Sequence, residues 1–222
     1  MELTKEQLLQ LHNYIYVSGI KFYDVRTELV DHFANLLEQR LEENPDLNFK
    51  REIEKVHKNF SDSGFSKLLK QKKTSVTKEF YKHSLQHLLS FFKIPKIIIT
   101  GFIFIVLYQA QFYFSNIENF FQILYGFSTL LMIVVAIRAK QRNKKEKFLS
   151  LSLTLGFYQV YHILVILLQL SYSRSLESLT NTTHNTTFIG CYTLVFLFFW
   201  TGEYVYQQNK KLVKEQYPNI LV

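Results

Sequence analysis

FLSLSLTLGFYQVYHILVILLQL, residues 148–170, runs for 23 residues without a charged side chain. A helix needs roughly 20 mostly apolar residues to cross the hydrocarbon core of a bilayer. Three further runs qualify: IIITGFIFIVLYQAQFYF (97–114), NFFQILYGFSTLLMIVVAI (119–137) and TFIGCYTLVFLFFWTGEYVY (187–206), the last charged only at Glu203. Four such runs in succession are not the pattern of buried helices in a soluble protein. They predict an all-α chain ending in a four-helix transmembrane bundle, residues 94–206, with a short basic tail, 207–222.

Charge agrees with this division. The first 96 residues hold 16 Lys/Arg and 13 Asp/Glu, whereas the remaining 126 hold 10 and 5. Excess Lys and Arg mark the cytoplasmic side of membrane segments. RAKQRNKKEK (138–147), between the second and third runs, carries six basic residues. Lys82, Lys93 and Lys96 precede the first run, and Lys210, Lys211 and Lys214 follow the fourth. The other two connectors hold one basic residue, Arg174. Both termini are therefore expected in the cytoplasm. Lys70, Lys72 and Lys73, together with Arg138, Lys140, Arg142, Lys144 and Lys145, are expected to meet anionic lipid headgroups. With the formal charge of +8 clustered beside apolar segments, the bilayer is the expected partner and nucleic acid is not.

Residues 1–93 alternate charge with apolar stripes and predict a cytoplasmic helical domain. Thr4 with Gln7 forms a capping-box pattern before Leu8, Leu11 and Ile15, and Gly19 suits a left-handed helix end. A second helix over about 23–43 carries Phe22, Val25, Leu29, Phe33 and Leu36 at three- and four-residue steps. NPD (44–46) stops it. Asn48 can cap a third helix bearing Phe49, Ile53, Val56 and Phe60. After SDSG (61–64), a last stretch leads through Phe80, Leu85 and Leu88 to the membrane.

VRTELVDHF (25–33) packs an arginine, two carboxylates and a histidine into nine residues. At about 100° per residue, Asp24, Glu28, Asp31, Asn35, Glu38 and Glu42 fall on one face, opposite Leu29 and Phe33. Arg26 flanks the apolar seam and His32 borders the acidic stripe. A di-metal site would need Glu-x-x-His motifs at three-residue spacing from two helices. Here His32 follows Glu28 by four, and there is no second copy. The reading is a docking face of Asp24, Glu28, Asp31, Glu38 and Glu42, for a basic partner or in cis for the lysines between Lys67 and Lys82.

The stretch 25–71 resembles permease-prefix and HAAS-type domains of bacterial membrane proteins. Arg26, Glu28, Leu29 and His32 match their Arg-x-Glu-Leu-x-x-His helix, and Val56 and Phe60 match the helix that follows. Glu52 stands where that pattern has a small residue, and its glycine is displaced to Gly64. The resemblance implies a bacterial inner-membrane protein with a cytoplasmic module for protein contacts, and no catalytic residue. Asn181 and Asn185 each open an NTT sequon, without consequence in a bacterial chain.

Little else carries chemistry. The single cysteine, Cys191, forbids an internal disulfide and reads as a small buried side chain. His83 and His87 share a helical face, with no cysteine or nearby carboxylate to complete a metal site. No phosphate-cradling loop, HExxH or GxSxG occurs. No metal and no cofactor is expected. His162 lies mid-span beside Tyr158, and an ionisable residue there is a functional hypothesis. With Gln109 and Tyr158 it could line a polar path through the membrane. Glu203 is expected to snorkel to water. Gly101-Phe102 and Gly156-Phe157 raise a duplicated hairpin. The leading expectation is a non-catalytic docking or regulatory subunit, acting with a protein partner or a second copy. The alternatives are a small transporter around Gln109, Tyr158 and His162, and a membrane-embedded enzyme using His162 or Glu203.

Overall fold

The structure, a computed structural model, describes residues 2–60, 64–142, 147–174 and 182–218. Lys144 and Lys145 lie outside the described residues, as does Asn181. The described chain is helical, without a strand: α1 (Lys5–Val17), α2 (Tyr23–Glu43), α3 (Phe49–Phe60), α4 (Gly64–Ser90), α5 (Ile97–Ala110), α6 (Ile117–Arg142), α7 (Leu149–Arg174) and α8 (Thr182–Gln216). It forms two compact units. The first is Met1–Glu79 with Glu146–Ser152, and the second is Phe80–Lys145 with Leu153–Val222.

In the first unit, Thr4 accepts the Gln7 N–H while the Gln7 side chain accepts the Thr4 N–H, closing the expected capping box. Gly19 ends the turn after α1 at φ 102, a conformation that glycine adopts without strain. α1 and α3 both pack against α2. Their shared core includes Leu11, Ile15, Leu29, Phe33, Ile53 and Val56. One expectation fails in α2. Leu36 is 41 % exposed, and Leu37 is fully buried in its place. Each four-residue step turns the helix face by about 40°. A neighbour packed along that ridge follows Leu29, Phe33, Leu37 and Leu41 rather than the straight line to Leu36.

The division into units falls within α4, after Glu79. From Phe80 onward, α4 belongs to the second unit, where Phe80 packs with Phe157 and Val205. Conversely, Glu146–Ser152 belongs to the first, and Leu149 enters its core.

Among the described residues three helices are long and apolar enough to cross a membrane: Ile117–Arg138, Leu149–Ser173, whose first turn lies in the first unit, and Thr182–Gln216. The first predicted run is shorter. It is 14 residues of α-helix closed by a 3-10 turn, Gln111–Tyr113. α8 continues through the expected tail region to Gln216. α8 also begins at Thr182, five residues before the predicted run. Asn185 is thereby a buried helical residue.

Candidate functional site

The start of α7 is held by the start of α2. The Tyr23 N–H donates to the Lys147 carbonyl at 2.7 Å. The Leu149 N–H donates to the Asp24 carboxylate, at 3.1 Å from Oδ1 and 3.0 Å from Oδ2. Phe148 is buried, with its ring 5.7 Å from that of Tyr23. The first N–H groups of a helix have no partner within it, and the helix dipole favours a negative charge there. Asp24 thus serves as a capping acceptor for α7, supplied from a helix more than a hundred residues earlier. Burial pushes its carboxyl above the usual range, opposed by the N–H groups of Leu149, Val25 and Ser150. Helical spacing puts Asp24 with the acidic residues. No local signal reveals that its acceptors face Leu149.

The other acidic residues divide. Glu28 pairs with Lys72 at 2.6 Å, one of the cis lysines named above. Glu38 accepts the Leu3 N–H at 2.9 Å. Asp31 and Glu42 are exposed. Arg26, beside the apolar seam, is itself buried, 3 % exposed. Its Nε donates to His12 at 3.3 Å, and its guanidinium lies over the rings of Tyr16 and Tyr23 at 5.1 and 5.3 Å. Glu52, at the family's small position, is also buried and joins Arg40 and Lys55. The Lys55 and Arg40 contacts outweigh burial and hold its carboxyl below the usual range.

In the second unit, α6, α7 and α8 each supply one member of a polar cluster. Arg138 donates to Glu203 Oε1 at 2.9 Å, and the Tyr158 hydroxyl donates to the same oxygen at 2.6 Å. Glu203 is therefore tied down rather than simply reaching for water, and Arg138, expected at headgroups, is its partner. Gly202 makes this possible. A Cβ there would stand 2.8 Å from Phe157 and 3.3 Å from Tyr158. Gly101 and Gly156, the candidates for a duplicated hairpin, have nothing within 4 Å of such a Cβ.

Tyr158 is not joined by the other members of the expected polar path. Gln109 is exposed, and His162 is half-buried one turn further along α7. Three buried polar side chains of this unit serve the helices themselves: Tyr161 donates to the Ser128 carbonyl, Ser128 to that of Leu124, and Thr193 to that of Ile189.

Of the expected headgroup residues, Lys70 and Lys73 are exposed and Lys72 is half-buried. Lys140 and Arg142 lie in the last turns of α6. At the end of α4, the His87 ring stacks on Tyr204 at 3.8 Å, and its Nδ1 lies 3.4 Å from the Thr201 hydroxyl. Burial and the neighbouring Lys96 ammonium hold the imidazole below its ordinary value. Among the described residues no three His, Cys, Asp or Glu side chains converge as metal ligands. No family model, curated protein or solved structure matches this chain.

Proposed function

We propose that this chain is a four-crossing protein of a bacterial inner membrane, with both ends in the cytoplasm, and that its N-terminal unit is a non-catalytic docking and regulatory module. The Asp24 cap on Leu149 is the observation that carries the regulatory part. A membrane-length helix begins inside the core of the N-terminal unit. A protein that binds this unit and disturbs the start of α2 would free the first N–H groups of α7, and so act on the membrane segment through the chain itself.

Ile97–Tyr113 is the fourth crossing in this reading. Its α-helix and 3-10 turn extend about 27 Å, close to the roughly 30 Å of hydrocarbon. The lysines before α5 and at the end of α8, with the basic α6–α7 connector, then share one side. Asp31, exposed on α2, is an acidic position offered to a basic partner or a second copy. The resemblance of residues 25–71 to cytoplasmic prefix domains supports the same role.

Crosslinking in intact membranes tests it. Charge reversal at Asp31 should remove the partner that wild type recovers, and Asp24→Ala should alter crosslinks formed within the membrane segment. Unchanged recovery with both variants would dismiss the module. A reporter fused at Val222 should be active on the cytoplasmic side. Activity outside would leave three crossings.

A further inference from the structure

α1 and α2 pack on each other across a short connection, residues 18–22, and so form an antiparallel hairpin. The Ser18 N–H donates to the Tyr14 carbonyl, the Gly19 N–H to that of Tyr16 and the Ile20 N–H to that of Ile15. These bonds fold the chain back at once and leave the last side chains of α1 at the end of the hairpin. Val17 is 84 % exposed there and Tyr16 48 %. Lys21, in the same turn, is exposed as well. The next residue, Phe22, forms an isolated β-bridge with Lys147, whose side chain is also exposed. This end of the hairpin thus presents a valine, a tyrosine ring and two lysines.

The same end holds α7, through the bond from Tyr23 to Lys147 and the Asp24 cap on Leu149. α7 is of membrane length over Leu149–Ser173, and Glu146–Ser152 belongs to the N-terminal unit. α2 has 21 residues and extends about 30 Å. The turn at its far end, residues 44–48, is therefore about 30 Å along α2 from the point where α7 is held. That turn exposes Pro45 and Asp46, without a lysine.

We infer that the α1–α2 turn is a surface anchor: Val17 and Tyr16 enter the headgroup layer of the bilayer that α7 crosses, and Lys21 and Lys147 meet its phosphates. The residue types suit that layer. A tyrosine ring is amphipathic and favours the headgroup level, and lysines beside an anionic surface are attracted to it. Lipid is the partner because the covalent start of a membrane-length helix keeps this end of the hairpin beside it. Attachment at the turn as well as at α7 gives the N-terminal unit a fixed pose, with residues 44–48 directed away from the lipid. The anchor rests on the proposal that α7 enters a bilayer, and Ile163, in the middle of α7 and 56 % exposed, tests that proposal separately.

Cys191 is the single cysteine, so the full chain with Cys191→Ala accepts one polarity-sensitive fluorophore at Val17→Cys, Asp46→Cys or Ile163→Cys. Each is reconstituted in vesicles of phosphatidylcholine and phosphatidylglycerol that carry a nitroxide on the headgroup or deep on the acyl chain. Emission at position 17 should move to shorter wavelength and be quenched more by the headgroup nitroxide than by the deep one. Position 46 should show neither change, and position 163 should be quenched by the deep nitroxide. Lys21→Gln should lower the ratio of immersed to exposed probe at position 17 about fivefold, the factor carried by one cation near an anionic surface. Quenching at 163 without quenching at 17 would overturn the anchor and leave the crossing. A shift at 17 that neither nitroxide quenches would overturn lipid as the partner and put protein, such as a second copy, on the turn. Equal quenching at 17 and 46 would overturn the turn as the point of attachment, and an unaltered Lys21→Gln would overturn the phosphate contact. No quenching at 163 would overturn the crossing, and the anchor with it.

Discussion

The two units differ in the surface they expose. In the first, apolar side chains go inside: Leu11, Leu29, Phe33 and Leu37 have no exposure, while the charged residues of α2 largely remain outside. In the second, many of the largest apolar side chains point outward. Ile98 is 70 % exposed, Phe102 67 % and Ile105 57 %, whereas Ser128 and Thr201 are fully buried. Water as the surrounding medium explains the first pattern, because removing apolar area from it drives folding. It cannot explain the second. Hydrocarbon outside removes that drive, and association then depends on close packing and on hydrogen bonds inside the bundle.

The comparison breaks most directly with a matched pair of truncations. Phe33→Ala should destabilise the first unit by about 3–5 kcal/mol, the cost of emptying a buried phenylalanine site. Phe102→Ala, at an exposed position of α5, should change stability by no more than about 0.5 kcal/mol in detergent or lipid. Proteolysis of the full chain, read separately for fragments of each unit, measures both. Equal costs would mean that the second unit is buried by some other surface.

A smaller effect is expected where the second unit packs most tightly. Phe157 is stacked on Phe198 at 4.0 Å and lies 6.0 Å from Phe80, so it has little freedom to retreat from a Cβ at position 202. Gly202→Leu should cost about 1–3 kcal/mol through overpacking and displace Tyr158 from Glu203. Gly126→Leu, with nothing within 4 Å, should cost nothing and gain slightly in helix propensity. Thermal unfolding in one detergent compares the two. If both glycines tolerate leucine, close helix approach does not hold this bundle.

The same contrast decides what could be read in the sequence. α1, α2 and α3 were legible because one apolar stripe against a polar exterior has a period and visible caps: Thr4, Gly19 and Asn48 all stand at helix ends. Leu36 misled because spacing gives direction on one helix, not the slant of its neighbours. The three long apolar helices were legible by length alone, and length says nothing about which residues meet. Hence Arg138, Tyr158 and Glu203 were each singled out for separate reasons and never as one cluster. Helical spacing puts Asp24 with the acidic residues but is silent on its N–H donor, because Leu149 lies 125 positions away in the chain.

The Asp24 cap can be sharpened by separating its charge from its acceptor. Asp24→Ala strands the Leu149 N–H and should cost about 1–3 kcal/mol. Asp24→Asn keeps an acceptor and should cost much less at neutral pH. The sign of the pH effect follows from the raised carboxyl. The folded unit holds the Asp24 proton more tightly than the unfolded chain, so the contribution of this group is full below the ordinary carboxylate range and is lost as pH rises through the raised value. Wild type should therefore gain stability relative to Asp24→Asn as the pH falls from neutral toward about 4. Glu52, held low by Lys55 and Arg40, acts in the opposite direction but is common to both proteins and cancels in the difference.

The smallest effect probes the medium at the end of the bundle. The Arg138 side chain is 55 % exposed and that of Glu203 24 %. An ion pair so exposed to water contributes no more than about 1 kcal/mol, and salt screens it, with a Debye length near 10 Å at 0.1 M and 3 Å at 1 M. Arg138→Gln should therefore cost less than about 1 kcal/mol, and the cost should shrink as salt rises. Glu203 keeps the Tyr158 hydroxyl in this variant, which limits the loss further. A pair lying inside the hydrocarbon would behave otherwise, because removing one partner leaves a buried charge at a cost of about 3–5 kcal/mol that added salt does not touch. Measuring Arg138→Gln in vesicles at low and high salt thus locates the level at which water meets α6 and α8, the boundary on which the inverted pattern of the second unit depends.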